Sequence, residues 1–133
     1  AQRLNTDLAI IDKRRERAGV SEVLNVIGDV RGRHCLLVDD IVDSGGSLCN
    51  AARAIAQQGA ASVGAYVTHG VLTGQSVERI ADSPIEMLTL TDSIKATEVV
   101  AAARNIRQIS IAGLLARAMR AVADESSVSS LFD

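Results

Sequence analysis

The sequence predicts an α/β fold in which a mostly parallel sheet is flanked by helices. Short aliphatic runs suited to buried strands alternate with alanine-rich amphipathic stretches. The segments between them are rich in Gly, Asp and Ser, the residues of turns and helix starts. With 133 residues, 47% of them hydrophobic, there is apolar material for one packed domain spanning 1–133. No internal repeat or linker divides it.

Residues 1–5 read as the end of a helix already under way, and 7–12 (DLAIID) as a short buried strand. A chain that opens in mid-element without a Met is expected to be part of something longer. Residues 12–21 carry four basic side chains within five positions, Lys13, Arg14, Arg15 and Arg17, and run into Ala18-Gly19 as an expected mobile loop. Residues 23–27 form a second strand. Residues 34–38 (HCLLV) form a third, aliphatic enough to be covered on both faces. An acidic, Gly-containing loop at 39–47 leads to a helix over 48–58, where Leu48, Ala51, Ala52, Ile55 and Ala56 fall on one stripe before Gly59 stops it. Strands are expected at 62–68, 85–90 and 106–110, and helices at 76–81, 98–103 and 112–122. On the last helix Leu115, Ala118, Met119 and Val122 form a stripe expected in the core. A Ser-rich tail closes the chain.

Composition removes several classes of function. A net charge of −2 argues against a nucleic-acid binder, and aromatics at 2% leave nothing for base stacking. No apolar run approaches the roughly 20 residues of a membrane span. Two cysteines and no secretory leader point to a reduced, cytoplasmic protein without a disulfide framework.

In parallel sheets ligands sit beyond the carboxyl ends of the strands. The expected strand ends carry Asp12 to Arg15, Asp39-Asp40, Thr68-His69 and Thr91-Asp92-Ser93, which places most chemically capable residues on one edge. The sharpest segment is VDDIVDSGGSL. Ser44, Gly45, Gly46 and Ser47 stand at a helix start, where free N–H groups and the dipole favour an anion such as phosphate. Asp39 and Asp40 would repel that anion, so they suit sugar hydroxyls or a metal ion. Together they imply a sugar phosphate. The plainer reading is that Ser47 caps the helix and the acids are solvated. The basic cluster can neutralise charge during phosphoryl transfer, or be a solvated charge run. His69 could contact phosphate or be structural; His34 is read as bland, and Cys35 and Cys49 as buried thiols.

VDDIVDSGGS resembles the ribose-phosphate-binding motif of the type I phosphoribosyltransferase fold. Joined by DLAIIDKRR, LNVIGDVRGR, YVTHGVLTG, SVERIADSPI and SVSSLF, it is similar to the ribose-phosphate pyrophosphokinase family from Asp7 to Phe132. The resemblance implies transfer of the diphosphoryl group of ATP to ribose 5-phosphate, giving phosphoribosyl pyrophosphate and AMP. It implies Lys13 and Arg15 as catalytic residues. It further implies Asp39, Asp40, Asp43, Ser44, Gly45, Gly46 and Ser47 as the ribose 5-phosphate site. Mg2+ is expected to accompany ATP, with no metal ligands assigned on this chain, and the full-length chain is expected to form a homo-oligomer. Family members also carry an N-terminal domain and an Asp-x-Gly-Gly pyrophosphate loop. This chain is therefore expected to be a C-terminal part lacking the first strand and that loop, and inactive alone. Serines replace the usual threonines at Ser44 and Ser47, keeping both hydroxyls; Glu16 and Gly70 stand where prolines are common. The alternatives are a base-salvage phosphoribosyltransferase, a non-catalytic regulatory paralogue, and, outside this fold family, a phospho-accepting receiver.

Overall fold

The structure, a computed structural model, describes residues 1, 5–14 and 23–132. In chain order the elements are β1 (Ile10–Arg14), β2 (Val23–Ile27), β3 (His34–Val42), α1 (Gly46–Gln57), β4 (Ser62–Gly70), α2 (Ser76–Ala81), β5 (Ile85–Thr91), α3 (Glu98–Ala102), β6 (Ile106–Ile109) and α4 (Ala112–Ala123). A 3-10 turn at Ser129–Leu131 follows.

Strands β3 to β6 form one four-stranded parallel sheet in sequential order. Parallel neighbours need a crossover, and α1, α2 and α3 supply the three in turn. The core lies between the sheet and these helices. Val63, Ala65 and Val67 of β4 and Leu88 and Leu90 of β5 pack with Cys49, Ala52 and Ile55 of α1 and Ile80 of α2. Alanines along the buried stripe of α1 let the helix sit close to the strands.

Four expectations change. The first strand begins three residues later than expected and does not join the parallel sheet. β1 pairs antiparallel with β2 as a separate two-stranded ribbon, Asp12 opposite Asn25 and Lys13 opposite Leu24. An apolar run reveals a strand but not its partner, which depends on distant residues. Lys13 and Arg14 therefore stand on this ribbon, not at the carboxyl edge of the parallel sheet. Second, β3 continues through Val42, so Asp39 and Asp40 lie on the strand instead of in a loop.

Third, one face of β3 and β4 is open among the described residues. Leu36 and Val38 of β3 and Tyr66 of β4 are exposed, Val38 by 75%, so residues 34–38 are covered on one side only among the described residues. Arg107 bridges part of this open face, its Nε donating to Thr89 Oγ1 at 3.0 Å and its guanidinium reaching Tyr66 Oη at 3.4 Å. That partner accounts for Thr89 being a buried polar residue.

Fourth, the stripe of α4 is not core: Leu115, Met119 and Val122 are exposed, Met119 by 72%, and Ala121 is the buried residue of this helix. The pattern gives α4 an apolar face, but no described segment covers it. The expected helix end at 1–5 lies largely outside the described residues, as do Arg15, Arg17 and the rest of the basic stretch up to residue 22.

Candidate functional site

Residues 39–47 run from the end of β3 into the start of α1. Asp39, Asp40, Asp43, Ser44 and Ser47 are all exposed, while Val42 and Gly45 between them are buried. Asp39 Oδ1 accepts the Asp40 N–H at 2.9 Å, fixing the first carboxylate against its own backbone. Gly45 is the residue before the helix and adopts φ +74°, the left-handed region where only glycine is unstrained. This turn directs the chain from the strand edge into α1. No side chain caps the helix and its first turn carries no acid, so the reading in which Ser47 serves as a cap is set aside. The N–H groups of such a first turn and the positive end of the dipole point out of the helix. Gly46 follows, and a Cβ there would meet only Ser44 Oγ at 3.8 Å.

Two residues that the sequence reading passed over hold this segment. Thr73, in the connection from β4 to α2, donates its hydroxyl to Asp43 Oδ1 at 2.6 Å. Arg79 of α2 donates Nη1 to the Ser44 carbonyl. They lie 30 and 35 residues from their partners in sequence, a separation at which no local pattern signals contact. The backbone adds to the grip: Val71 N–H donates to Val42 O at 2.9 Å and Thr73 N–H to Asp43 O at 3.2 Å.

The other expected strand-end residues are occupied structurally. Among the described residues, His69 Nδ1 pairs with Ser93 Oγ at 2.9 Å. Thr91 and Ser93 donate their hydroxyls to the Thr68 carbonyl, locking the ends of β4 and β5 together. Asp92 accepts the Ile111 N–H at 2.9 Å, and bonding to Ser110 and then to Ile111 lowers its pKa. Cys35 is only half-buried, short of the buried thiol expected, and that partial burial raises its pKa. Cys49 is fully buried, its thiol directed at the Arg79 carbonyl.

Among the described residues no three His, Cys, Asp or Glu side chains converge to hold a metal ion. Among the described residues one concavity of about 480 Å³ lies between α2 and the residues preceding β6, and another of about 250 Å³ is bordered by Arg53 and by Arg79, the residue bonded to Ser44. Lys13 has its backbone on β1, and Arg15 lies outside the described residues. No helix among the described residues is long and apolar enough to cross a membrane.

Comparison with known proteins adds an independent line. The chain is 71% identical over its whole length to the ribose-phosphate pyrophosphokinase of Granulibacter bethesdensis and 58% identical to that of Agrobacterium fabrum. It spans 43% of the length of each. The crystal structure of phosphoribosylpyrophosphate synthetase from Mycobacterium smegmatis superposes with a TM-score of 0.77 at 33% identity, over 89% of this chain and 37% of that one. These matches give the share of each relative, and they lend no support to the expectation of a C-terminal part. A family model described as the phosphoribosyl synthetase-associated domain matches residues 5–133, and the chain belongs to that family.

Proposed function

We propose that residues 39–47 bind ribose 5-phosphate within a ribose-phosphate pyrophosphokinase. That enzyme moves the β,γ-diphosphoryl group of ATP onto the anomeric hydroxyl, with AMP leaving. The observation that carries the reading is the juxtaposition of two exposed carboxylates, Asp39 and Asp40, with an uncapped helix start beyond Gly45. The carboxylates accept hydrogen bonds from sugar hydroxyls. Gly45, Gly46, Ser44 and Ser47 offer N–H and O–H donors to the 5-phosphate, and Asp43 orders the turn between them. Orienting the sugar in this way presents its anomeric oxygen for in-line attack.

Lys13 and Arg15 are proposed to supply positive charge to the transferring group, on the strength of the family pattern alone. Mg2+ is proposed to arrive with ATP. Among the described residues no three His, Cys, Asp or Glu side chains converge to hold it. Assembly into a homo-oligomer, a cytoplasmic location and inactivity of the isolated 133 residues complete the proposal.

Calorimetry with ribose 5-phosphate, ribose and inorganic phosphate tests the reading. Ribose 5-phosphate should bind at least about tenfold more tightly than phosphate, a difference of about 1.4 kcal/mol, and Asp39→Asn should erase the difference. Equal affinity for the two in the unaltered chain overturns it. Release of pyrophosphate from phosphoribosyl pyrophosphate on adding a nucleobase would favour the base-salvage alternative.

A further inference from the structure

We infer that Thr73 and Arg79 are positioning residues that set the conformation of the 43–47 turn and thereby its affinity for a sugar phosphate, an inference that rests on the function proposed above. Neither residue belongs to the motif itself. The segment from β4 into α2 lies along residues 42–45 and bonds them repeatedly. Val42 O accepts from the N–H groups of both Val71 and Leu72, and Asp43 O accepts from Thr73. Two side-chain bonds are added, Thr73 to the Asp43 carboxylate and Arg79 to the Ser44 carbonyl. From beneath, Ile80 fills the space beside Gly45, where an added Cβ would meet it at 3.5 Å.

One backbone feature marks this grip as specified by the surroundings. Leu72 has φ +52°, a conformation that costs a bulky residue free energy, and its side chain is buried in the core. Such a residue stays left-handed only where its surroundings over-determine it. Here burial of the Leu72 side chain and the bond from its N–H to Val42 O do so. The turn at Leu72 is what brings Thr73 back within 2.6 Å of Asp43.

The physical role follows from charge. Asp43 is a carboxylate placed two residues before the residue that precedes α1, and free acids near a helix start compete for its N–H groups. Bonded to Thr73, the Asp43 oxygen is held against the β4–α2 connection instead. Arg79 fixes the peptide that follows and adds positive charge beside the turn. Loss of the Thr73 contact exposes the phosphate donors to an internal competitor, and loss of the Arg79 contact frees the peptide that follows.

The test measures ribose 5-phosphate affinity, the urea midpoint and the amide resonances of Gly45 and Gly46 in the intact chain. Thr73→Val should weaken binding about tenfold and shift both glycine resonances, while Thr73→Ser, which keeps the hydroxyl, restores both. Arg79→Gln should act in the same direction, and Arg79→Lys should recover only part of the loss, because a lysine cannot reproduce the guanidinium geometry. Thr97→Val removes the hydroxyl that accepts the Val100 N–H at the start of α3. It serves as a destabilised control and should leave affinity unchanged. Wild-type affinity in Thr73→Val overturns the inference while leaving the proposed function intact. An affinity loss in Thr97→Val equal to that in Thr73→Val also overturns it, by showing general destabilisation. Failure of the unaltered chain to prefer ribose 5-phosphate over inorganic phosphate defeats the proposed function itself.

Discussion

The Asp92 carboxylate at the end of β5 accepts a 2.9 Å hydrogen bond from the N–H of Ile111, the residue preceding α4. The sheet is thereby bonded to the start of a helix that buries little else. The bonds favour the ionised form, holding the pKa below the ordinary 3.8. A lowered native pKa adds stability above the unfolded value and loses it as pH falls through the native one. The gap in α4 amide protection between the unaltered chain and Asp92→Ala should therefore be full at pH 7. It should shrink once the pH falls below about 4. A gap independent of pH would contradict this account.

Gly45 and Gly70 should resist substitution for different reasons. At Gly45 an alanine Cβ meets Ile80 at an ordinary 3.5 Å, so the cost of Gly45→Ala is backbone strain at φ +74°, roughly 1–2 kcal/mol. At Gly70 a Cβ would stand 2.5 Å from Leu90 Cδ1, and Leu90 is buried in the core. Gly70→Ala should cost about 1–3 kcal/mol through overpacking. Leu90→Ala in the same chain should relieve that clash, so urea unfolding of the double variant should show coupling between the sites.

Met119→Gln should change stability by no more than about 0.5 kcal/mol, because this side chain is exposed. Leu88→Ala should cost about 2–5 kcal/mol, because Leu88 is fully buried between neighbouring strands. Chemical denaturation of the two variants side by side checks both values. Similar losses would mean that the α4 stripe is covered in solution.

Local periodicity made most of the fold legible. The 3.6-residue repeat in α1 and the aliphatic run of β2 each depend on residues within a few positions; β2 falls where the pattern places it, and α1 begins two residues earlier, at Gly46. The partner of β1 was not legible, since Lys13 meets Leu24 through a pairing that no short window contains. The stripe on α4 shows the same limit: amphipathicity identifies the face that gains from cover without supplying the cover. At the candidate site the Asp39–Ser47 motif could be read because its chemistry is contiguous. Thr73 and Arg79 could not, because their contacts depend on the β4–α2 connection folding back onto the turn.

Among the described residues β3 ends the parallel ladder, with β4 as its one neighbour, and leaves nine residues of strand edge without a second partner. An edge of that length can template another strand, and charged residues are a common safeguard against such zipping. Asp39 and Asp40 sit on that edge, so two copies aligning there would bring like charges together. Neutralising both acids would remove that repulsion as well as the proposed sugar contacts, and loss of solubility in such a variant would have a physical origin separate from loss of binding.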